Sequence, residues 1–349
     1  MKMHADTHNE FINKHPHGWI SHLDAWYSVV EKTTSCVQER NLLTTETSNG
    51  AISGLMPLCH VRSPLSGNRL ICMPYATIGG PLVNSPDDLG PLLQRSIDFH
   101  RKQKTNRIEI RGVPGSDILQ SFHGFAAGSR YTMHTLHLDC DLAAIQKTFH
   151  RTAIRKNFTR SVECGLQLRV AGDDHAVCEF YHLYALTRKR LRMPPLPWRF
   201  FAAIWEHLGK QGLAEFLIAA REDRPIGGLM VFRYKERVSA EAIGWDAKHN
   251  SARPGIFLYW NAIQRAHEAG YKVFDFGRTS PDNKGLMEFK GRWGTLESDL
   301  CNYEYPGGQA GSTRRRNVSL LSKAVGIIMP HMPLPLFEMI GGFAFNHFC

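Results

Sequence analysis

The spacing of hydrophobic and polar residues changes along this chain, and each change of period marks a predicted element. Between residues 215 and 246, the segments EFLIAAR, PIGGLMVFRY and RVSAEAIGWD are typical of three successive antiparallel strands. Before them, apolar residues recur every three or four positions over Trp198–Lys210, which predicts a helix. A preceding helix, from about His175 to Leu191, is expected to end at the proline run 193–197, because proline cannot continue the helical hydrogen bonding.

Two parts of the chain resemble each other. Residues 49–58 (NGAISGLMPL) and 223–232 (DRPIGGLMVF) each place a polar turn before a short apolar strand, and a helical stretch followed by a second strand comes after both. The matched positions are Ile52, Gly54, Leu55 and Met56 in the first copy and Ile226, Gly228, Leu229 and Met230 in the second. Chance similarity of short apolar strings is the alternative, but the order of elements favours duplication of an α/β (α+β) domain.

Four segments follow from this repeat and from the composition at the two ends. We expect a flexible N-terminal tail over 1–18, a first domain over 19–130, a second domain over 131–306 and a basic, apolar tail over 307–349. Sheets covered by helices are predicted in both domains.

Charge and cysteine content narrow the function classes. The 349 residues include 42 Lys and Arg against 32 Asp and Glu, a net charge of +10 that favours phosphate-bearing partners such as nucleotides, RNA or anionic lipid. The eight cysteines are scattered without a C-x-x-C pair, and H-E-x-x-H is absent, so we expect free cysteines and no metal site. Because neither a signal-like start nor a run of about 20 apolar residues occurs, the sequence predicts a cytoplasmic protein.

Three clusters could carry chemistry. Arg151, Arg155, Lys156 and Arg160 share roughly one face of a predicted helix and could bind a phosphate or diphosphate, although a solvated helix face is an equal alternative. The second cluster, residues 188–192, better fits cations that complement a helix dipole. The third, 273–294, delivers Asp275 and Arg278 from a buried strand to a loop that returns Lys290 among aromatic residues; the alternative is an ordinary loop with an Asp275–Arg278 ion pair.

Several strings, taken together, resemble the FemAB-type acyltransferases, including their BioF2-like and exopolysaccharide-associated branch. They are R-x-x-I-R-K, T-R-K-R-x-x-M-P, I-G-G-L, L-Y-W-N-A-I, D-F-G-R-T and F-K-x-x-W-G. The resemblance is strongest over about 130–305 and weaker over 19–125. It implies two tandem GNAT-like domains, each a mostly antiparallel mixed sheet with packed helices.

The resemblance also implies an activity: transfer of an acyl or aminoacyl group to an amine or hydroxyl of a cell-envelope or exopolysaccharide precursor. In it, Lys290 would stabilise the tetrahedral oxyanion, with Asp275 as a second catalytic residue. Arg155, flanked by Arg151 and Lys156, would bind the phosphate of a small-molecule or lipid-linked acceptor. The pocket-forming residues would be Arg278, Tyr259 and Trp260. The stretch SARPGIFLYW keeps the arginine and a glycine of a CoA-binding turn but not their spacing, so the donor is open between acyl-CoA and aminoacyl-tRNA, with no permanently bound cofactor.

The tail adds one further expectation. Arg314–Arg316 precede an apolar stretch that prolines break into short pieces, a pattern typical of a segment that lies on an anionic membrane surface over about 314–345. We therefore expect peripheral contact with the inner face of the plasma membrane. The alternative is a tail that folds back and buries its apolar face on the second domain.

Two other functions compete with acyl transfer. A degenerate pair of GNAT-like domains could serve as a binding or scaffold protein in polysaccharide assembly at the membrane. RNA binding by the basic surface ranks last, because no known nucleic-acid motif occurs.

Overall fold

A computed structural model describes residues 2–114, 119, 122, 124–306 and 332–347. Its helices are α1 (Lys2–Lys14), α2 (Asp24–Thr33), α3 (Pro86–Gln103), α4 (Leu142–Thr148), α5 (Lys156–Glu163), α6 (Asp174–Arg190), α7 (Trp198–His207), α8 (Pro254–Glu268), α9 (Lys284–Gly291) and α10 (Leu334–His347). Its strands are β1 (Val37–Glu46), β2 (Ile52–Ser63), β3 (Gly67–Ile71), β4 (Leu82–Val83), β5 (Ile108–Pro114), β6 (Ala126–His137), β7 (Gln167–Val170), β8 (Ala214–Arg221), β9 (Arg224–Tyr234), β10 (Arg237–Trp245), β11 (Val273–Thr279) and β12 (Leu296–Tyr305).

The chain forms two compact units, and the boundary between them falls inside β6, between Tyr131 and Thr132. Unit 1 also includes β12 from Ser298 and α10 from Ala344, whereas the rest of α10 belongs to unit 2. The segment for which the sequence predicts a flexible tail contains helix α1. No described helix combines the length and the apolar composition that crossing a membrane requires.

Unit 1 is built on strands in the order β1-β2-β3-β5-β12, with β4 paired to β2. Its one parallel pair among the described strands joins β3 to β5, with α3 lying between them in the chain. Helix α3 starts at Pro86, where a missing N–H costs nothing, and the side chain of Ser85 caps it. Leu89, Leu92 and Leu93 of α3 pack on the buried side chains of the sheet.

Unit 2 repeats this order of elements. Strands β11-β10-β9-β8-β7 form its sheet, the end of β6 pairs with β11, and α8 leads from β10 to its parallel partner β11. The two matched strings of the sequence lie in β2 and β9, the same position of each sheet. The predicted duplication therefore corresponds to a repeated topology.

Helices cover both faces of the unit 2 sheet, and adjacent glycines of β9 permit this close approach. A Cβ on Gly227 would lie 2.9 Å from Pro254 of α8, and one on Gly228 would lie 2.8 Å from Phe180 of α6. Helices α6 and α7 and the antiparallel strands β8–β10 confirm the elements predicted from the spacing of apolar residues.

The C-terminal helix α10 packs on the protein. The side chain of Phe337 is fully buried, and that of Phe345 is 4% exposed and stacks on the ring of Tyr75. The inner face of α10 is therefore buried, and contact of this tail with a membrane stays a prediction. The basic triplet Arg314–Arg316 lies outside the described residues.

Candidate active site

The polar residues of the site lie where β10 and β11 stop pairing. The two strands are in parallel register from Arg237 opposite Val273 to Ser239 opposite Asp275. Immediately beyond, β10 has a register shift at Glu241 and β11 has one between Asp275 and Arg278. Such bulges re-aim side chains, and here they leave the polar groups of both strands at one place in unit 2.

Both carboxylate oxygens of Asp275 are held by hydrogen bonds. It is 3% exposed, and its Oδ1 accepts the N–H of Gly277 at 2.8 Å while its Oδ2 accepts from the guanidinium of Arg237. Gly277 has a φ of +74°, a left-handed conformation in which a glycine avoids the strain that a side chain brings. The structure pairs Asp275 with Arg237.

Glu241 shares one hydroxyl with Asp275. The Oγ of Ser239 lies 2.7 Å from Oε1 of Glu241 and 3.2 Å from Oδ2 of Asp275. Because a serine hydroxyl carries a single hydrogen, both contacts become hydrogen bonds only when one carboxyl group brings a proton. Burial, together with the charge of Asp275, raises the pKa of Glu241 to about 7 against the opposing effects of Ser239, Arg237 and Arg278. Below about pH 7, Glu241 can therefore carry this proton.

Lys290 lies on α9 rather than in the loop that the sequence predicts. It is 3% exposed, and its Nζ donates to the carbonyl oxygens of Gly277 at 2.7 Å and of Arg278 at 3.4 Å. Burial lowers the pKa of Lys290 to about 8, opposed first by Asp275 and then by Glu241. An ammonium group has three N–H donors, so one of them has no partner among the described residues.

A surface cleft of about 540 Å³ opens beside α9. One side carries Thr148 and His150, and the other carries Met287, Glu288 and Arg292. Two lining residues are sequence neighbours of the predicted clusters. His150 directly precedes Arg151 of the basic cluster, and Gly291 directly follows Lys290.

The basic cluster forms a short π-helical turn, Arg151–Arg155, followed by α5. Arg151 and Lys156 are exposed, and Arg155 is half-buried with its Nε out of contact with solvent and without a hydrogen-bond partner among the described residues. A guanidinium N–H in this state is costly unless a ligand accepts from it. The turn is held in place by His150, whose backbone N–H donates to the carbonyl oxygen of Arg292 at 2.8 Å.

Tyr259 and Trp260, expected to form a pocket, are core residues of unit 2. Tyr259 is 7% exposed and stacks on the ring of Phe276, and Trp260 is 4% exposed and meets Phe149 edge to face. Most residues of α8 are buried, so the string L-Y-W-N-A-I identifies side chains that pack in the core rather than side chains that line a pocket. Tyr259 still lies near the site, because Asp275 adds to burial in raising its pKa.

Four residues that the structure brings to the site do not stand out in the sequence. Arg237, Ser239 and Glu241 belong to a strand whose apolar pattern hides them, and the buried His134 lies behind the cleft, with Nε2 3.3 Å from the sulfur of Met287. Burial, followed by the charge of Lys290, lowers the pKa of His134. Among the described residues, no group of three or more His, Cys, Asp or Glu side chains could hold a metal ion.

Comparison with known proteins agrees with this architecture. Residues 146–291 match the family model of the acetyltransferase (GNAT) domain. Similar solved structures include FemX, with a TM-score of 0.72 at 16% identity over 91% of this chain and 98% of that one. The C-terminal domain of a putative lysylphosphatidylglycerol synthetase from Agrobacterium fabrum has a TM-score of 0.58 at 11% identity, covering 92% of this chain and 97% of that one.

A third similar structure is a tandem GNAT protein from the clavulanic acid biosynthesis pathway, with a TM-score of 0.55 at 11% identity over 88% of this chain and 95% of that one. No curated protein sequence matches the chain. At these identities the structures share a fold, and the predicted tandem GNAT-like architecture and the resemblance to FemAB-type proteins are confirmed at that level.

Proposed function

We propose that this tandem GNAT-like protein is an acyltransferase that moves an acyl or aminoacyl group onto an amine or hydroxyl of a phosphate-bearing cell-envelope or exopolysaccharide precursor. The observation that carries the proposal is the arrangement around Lys290: a buried ammonium with one uncommitted N–H, on the helix that lines a cleft. A preorganised donor in a water-poor site is what a developing oxyanion requires.

The chemical step assigns a role to each group. The acceptor nitrogen or oxygen attacks the donor carbonyl carbon, a bond forms between them, and the carbonyl oxygen becomes an oxyanion that Lys290 stabilises. The attacking group gives its proton to Glu241 in its ionised form. The bond to the donor's leaving oxygen or sulfur then breaks, and Glu241 returns the proton to that atom. Asp275 and Ser239 position Glu241.

The basic cluster supports a phosphate-bearing acceptor. The buried Nε of Arg155 is a donor without a partner among the described residues, and Arg151 and Lys156 add charge next to it. One similar structure is named as a domain of a putative lysylphosphatidylglycerol synthetase. The lipid in that name bears a phosphate and an aminoacyl group, which fits a phosphate-bearing acceptor.

The donor is an acyl thioester of CoA or an aminoacyl-tRNA ester. The test offers both donors to the full-length protein with phosphate-bearing amines as acceptors, and detects the product by mass spectrometry. Lys290→Met is expected to abolish product formation, whereas Lys284→Met, the same change at an exposed position of α9, leaves it intact. No product with either donor, or equal activity in both variants, contradicts the proposal.

The acceptor site has its own test. Arg155→Gln is expected to raise the KM for the acceptor while kcat changes little, because the arginine contacts the phosphate rather than the reacting atoms. Lys147→Gln, an exposed charge on the neighbouring helix α4, is the matched control. Equal KM values in the two variants would place the phosphate elsewhere.

A second candidate function is non-enzymatic binding in polysaccharide assembly, which is favoured by the 3% exposure of Lys290. The two candidates are distinguished by the same assay: a binding protein retains a phosphate-bearing ligand through Arg155 but yields no transfer product with either donor.

A further inference from the structure

Exposed apolar side chains are concentrated on one part of unit 2. The described residues include nine large apolar side chains that are exposed, and five of them lie in just two segments: the end of α6 with the loop after it, and α10. These five are Leu191 (54% exposed), Met193 (45%), Leu336 (41%), Met339 (65%) and Phe343 (57%). Isolated exposed apolar residues need no explanation, but a cluster of them marks an interaction surface.

The two segments are in contact. A Cβ on Gly341 of α10 would lie 2.4 Å from the carbonyl oxygen of Pro195, so the helix packs directly against the proline loop that follows α6. Glu338 of α10 also interacts electrostatically with His182 of α6. Because the contact fixes the inner face of α10 through the buried Phe337, its opposite face is directed outward.

The exposed face of α10 has helical spacing. Leu336, Met339 and Phe343 stand at positions i, i+3 and i+7 and so lie along one side of the helix. The same helix is too short to cross a bilayer, since about 20 residues are needed and it has 14. These features fit a helix that lies in the plane of a surface.

Basic residues border this apolar face. Lys189 and Arg192 lie close to Leu191 in the chain. The two other arginines of this segment have contacts within the protein: Arg188 donates to the carbonyl oxygen of Pro194, and the guanidinium of Arg190 lies 4.6 Å from the ring centre of Trp245. Glu338 is the one acidic residue of α10, and burial raises its pKa. The rim therefore has net positive charge, which complements anionic lipid headgroups.

We propose that the surface formed by the end of α6, the loop after it and α10 docks on an anionic lipid bilayer. Met339 and Phe343 enter the interface between headgroups and acyl chains, and Lys189 and Arg192 contact the headgroup phosphates. This docking surface is distinct from the triplet Arg314–Arg316, and it does not depend on the proposed transfer reaction.

The test measures sedimentation of the full-length protein with vesicles of phosphatidylglycerol and phosphatidylcholine, or of phosphatidylcholine alone. We expect binding to the anionic vesicles that weakens with added salt. The variant Met339→Glu/Phe343→Glu is expected to lower the partition coefficient by more than about tenfold, since two apolar side chains no longer enter the interface. The control Leu65→Glu/Leu296→Glu makes the same change at two other exposed positions and should bind like the unmodified protein.

Two further variants separate the sources of binding. Lys189→Gln/Arg192→Gln should reduce the partition coefficient by about fivefold per charge, from about 1 kcal/mol for each basic residue near an anionic surface. Leu191→Glu/Met193→Glu repeats the apolar test outside α10, in case the α10 variant fails to fold. The proposal is overturned if the protein does not bind anionic vesicles, or if folded variants of this surface bind normally while an Arg314–Arg316 to Gln variant does not.

Discussion

The replacement of Lys290 by methionine tests whether this buried ammonium serves catalysis or structure. Its pKa of about 8, against an ordinary 10.5, means that keeping the side chain charged at pH 7 costs about 3 kcal/mol of folding free energy. Lys290→Met removes that cost but leaves the carbonyl groups of Gly277 and Arg278 without this donor, a loss of about 1–3 kcal/mol each. The two losses together amount to about 2–6 kcal/mol and oppose the gain of about 3 kcal/mol, so we expect the free energy of unfolding to change by no more than about 3 kcal/mol.

Transfer should respond far more strongly. Loss of one oxyanion donor lowers kcat by about 10² to 10³-fold in comparable sites. In the unmodified protein, kcat should also decline as pH rises through about 8, because the ammonium that stabilises the oxyanion is then neutral. Lys284→Met controls for the loss of a lysine from α9.

Denaturant unfolding supplies a readout that is independent of activity. Between about pH 8 and 10.5, the unfolded chain binds a proton at Lys290 that the folded chain does not, so stability from this group rises with pH over that window. Lys290→Met should abolish that rise. A variant that keeps its transfer rate, or one that loses its fold at neutral pH, would refute the catalytic assignment, and an unchanged pH slope would refute the shifted pKa.

Three other substitutions probe the site and the fold. Glu241→Gln should remove the increase in transfer rate that we expect as pH rises through about 7. It should also raise the free energy of unfolding above that pH, because the folded protein then no longer holds a charged carboxylate in a desolvated site. A pH–rate profile that still falls at acidic pH contradicts the proposed proton transfer by Glu241. Glu109→Gln should destabilise the protein by about 3 kcal/mol at pH 7 but by less than about 1 kcal/mol at pH 2, where about half of the native carboxyl groups are protonated. Guanidinium unfolding at both pH values measures this. Gly244→Ala should lower the Tm, because its Cβ would lie 2.4 Å from Cα of Tyr184 in α6, whereas Gly255→Ala, with no neighbour nearer than 3.7 Å, should not.

The sequence was sufficient for the elements of unit 2 because their hydrophobic periods are regular. The three strands after α7 were predictable for that reason, and so was the end of α6 at the proline run. The repeat was detectable because β2 and β9 occupy the same position in both sheets, where similar burial selects similar residues.

The chemistry of the site was only partly predictable, because its contacts join residues far apart in the chain. Ser239 and Asp275 are separated by 36 positions and Arg237 and Asp275 by 38, so no local spacing records that they meet. The partly buried Glu241 lies at a β-bulge, which apolar alternation does not reveal. Tyr259 and Trp260 show the opposite case: a short matched string identified residues that pack the core.

The repeated topology indicates why chemistry is expected in unit 2 alone. Glu109 of β5 and Asp275 of β11 occupy equivalent places, each at a rung of the parallel strand pair of its unit. Burial alone would raise the pKa of Glu109, but Arg111, Arg69 and Arg107 surround it and hold that pKa at about 2. Its charge is therefore fixed at any ordinary pH, and the group supports the fold.

Asp275 of unit 2 has a different set of neighbours. It forms a salt bridge with Arg237 and shares the hydroxyl of Ser239 with Glu241. This leaves Glu241 and Lys290 with pKa values of about 7 and 8. Groups that exchange protons near neutral pH are what acid–base catalysis requires, and groups locked by several opposite charges cannot do so. The same position in two copies of one topology thus holds a carboxylate paired with three arginines in unit 1, whereas in unit 2 its carboxylate lies beside Glu241 and Lys290, the two groups that we propose exchange protons.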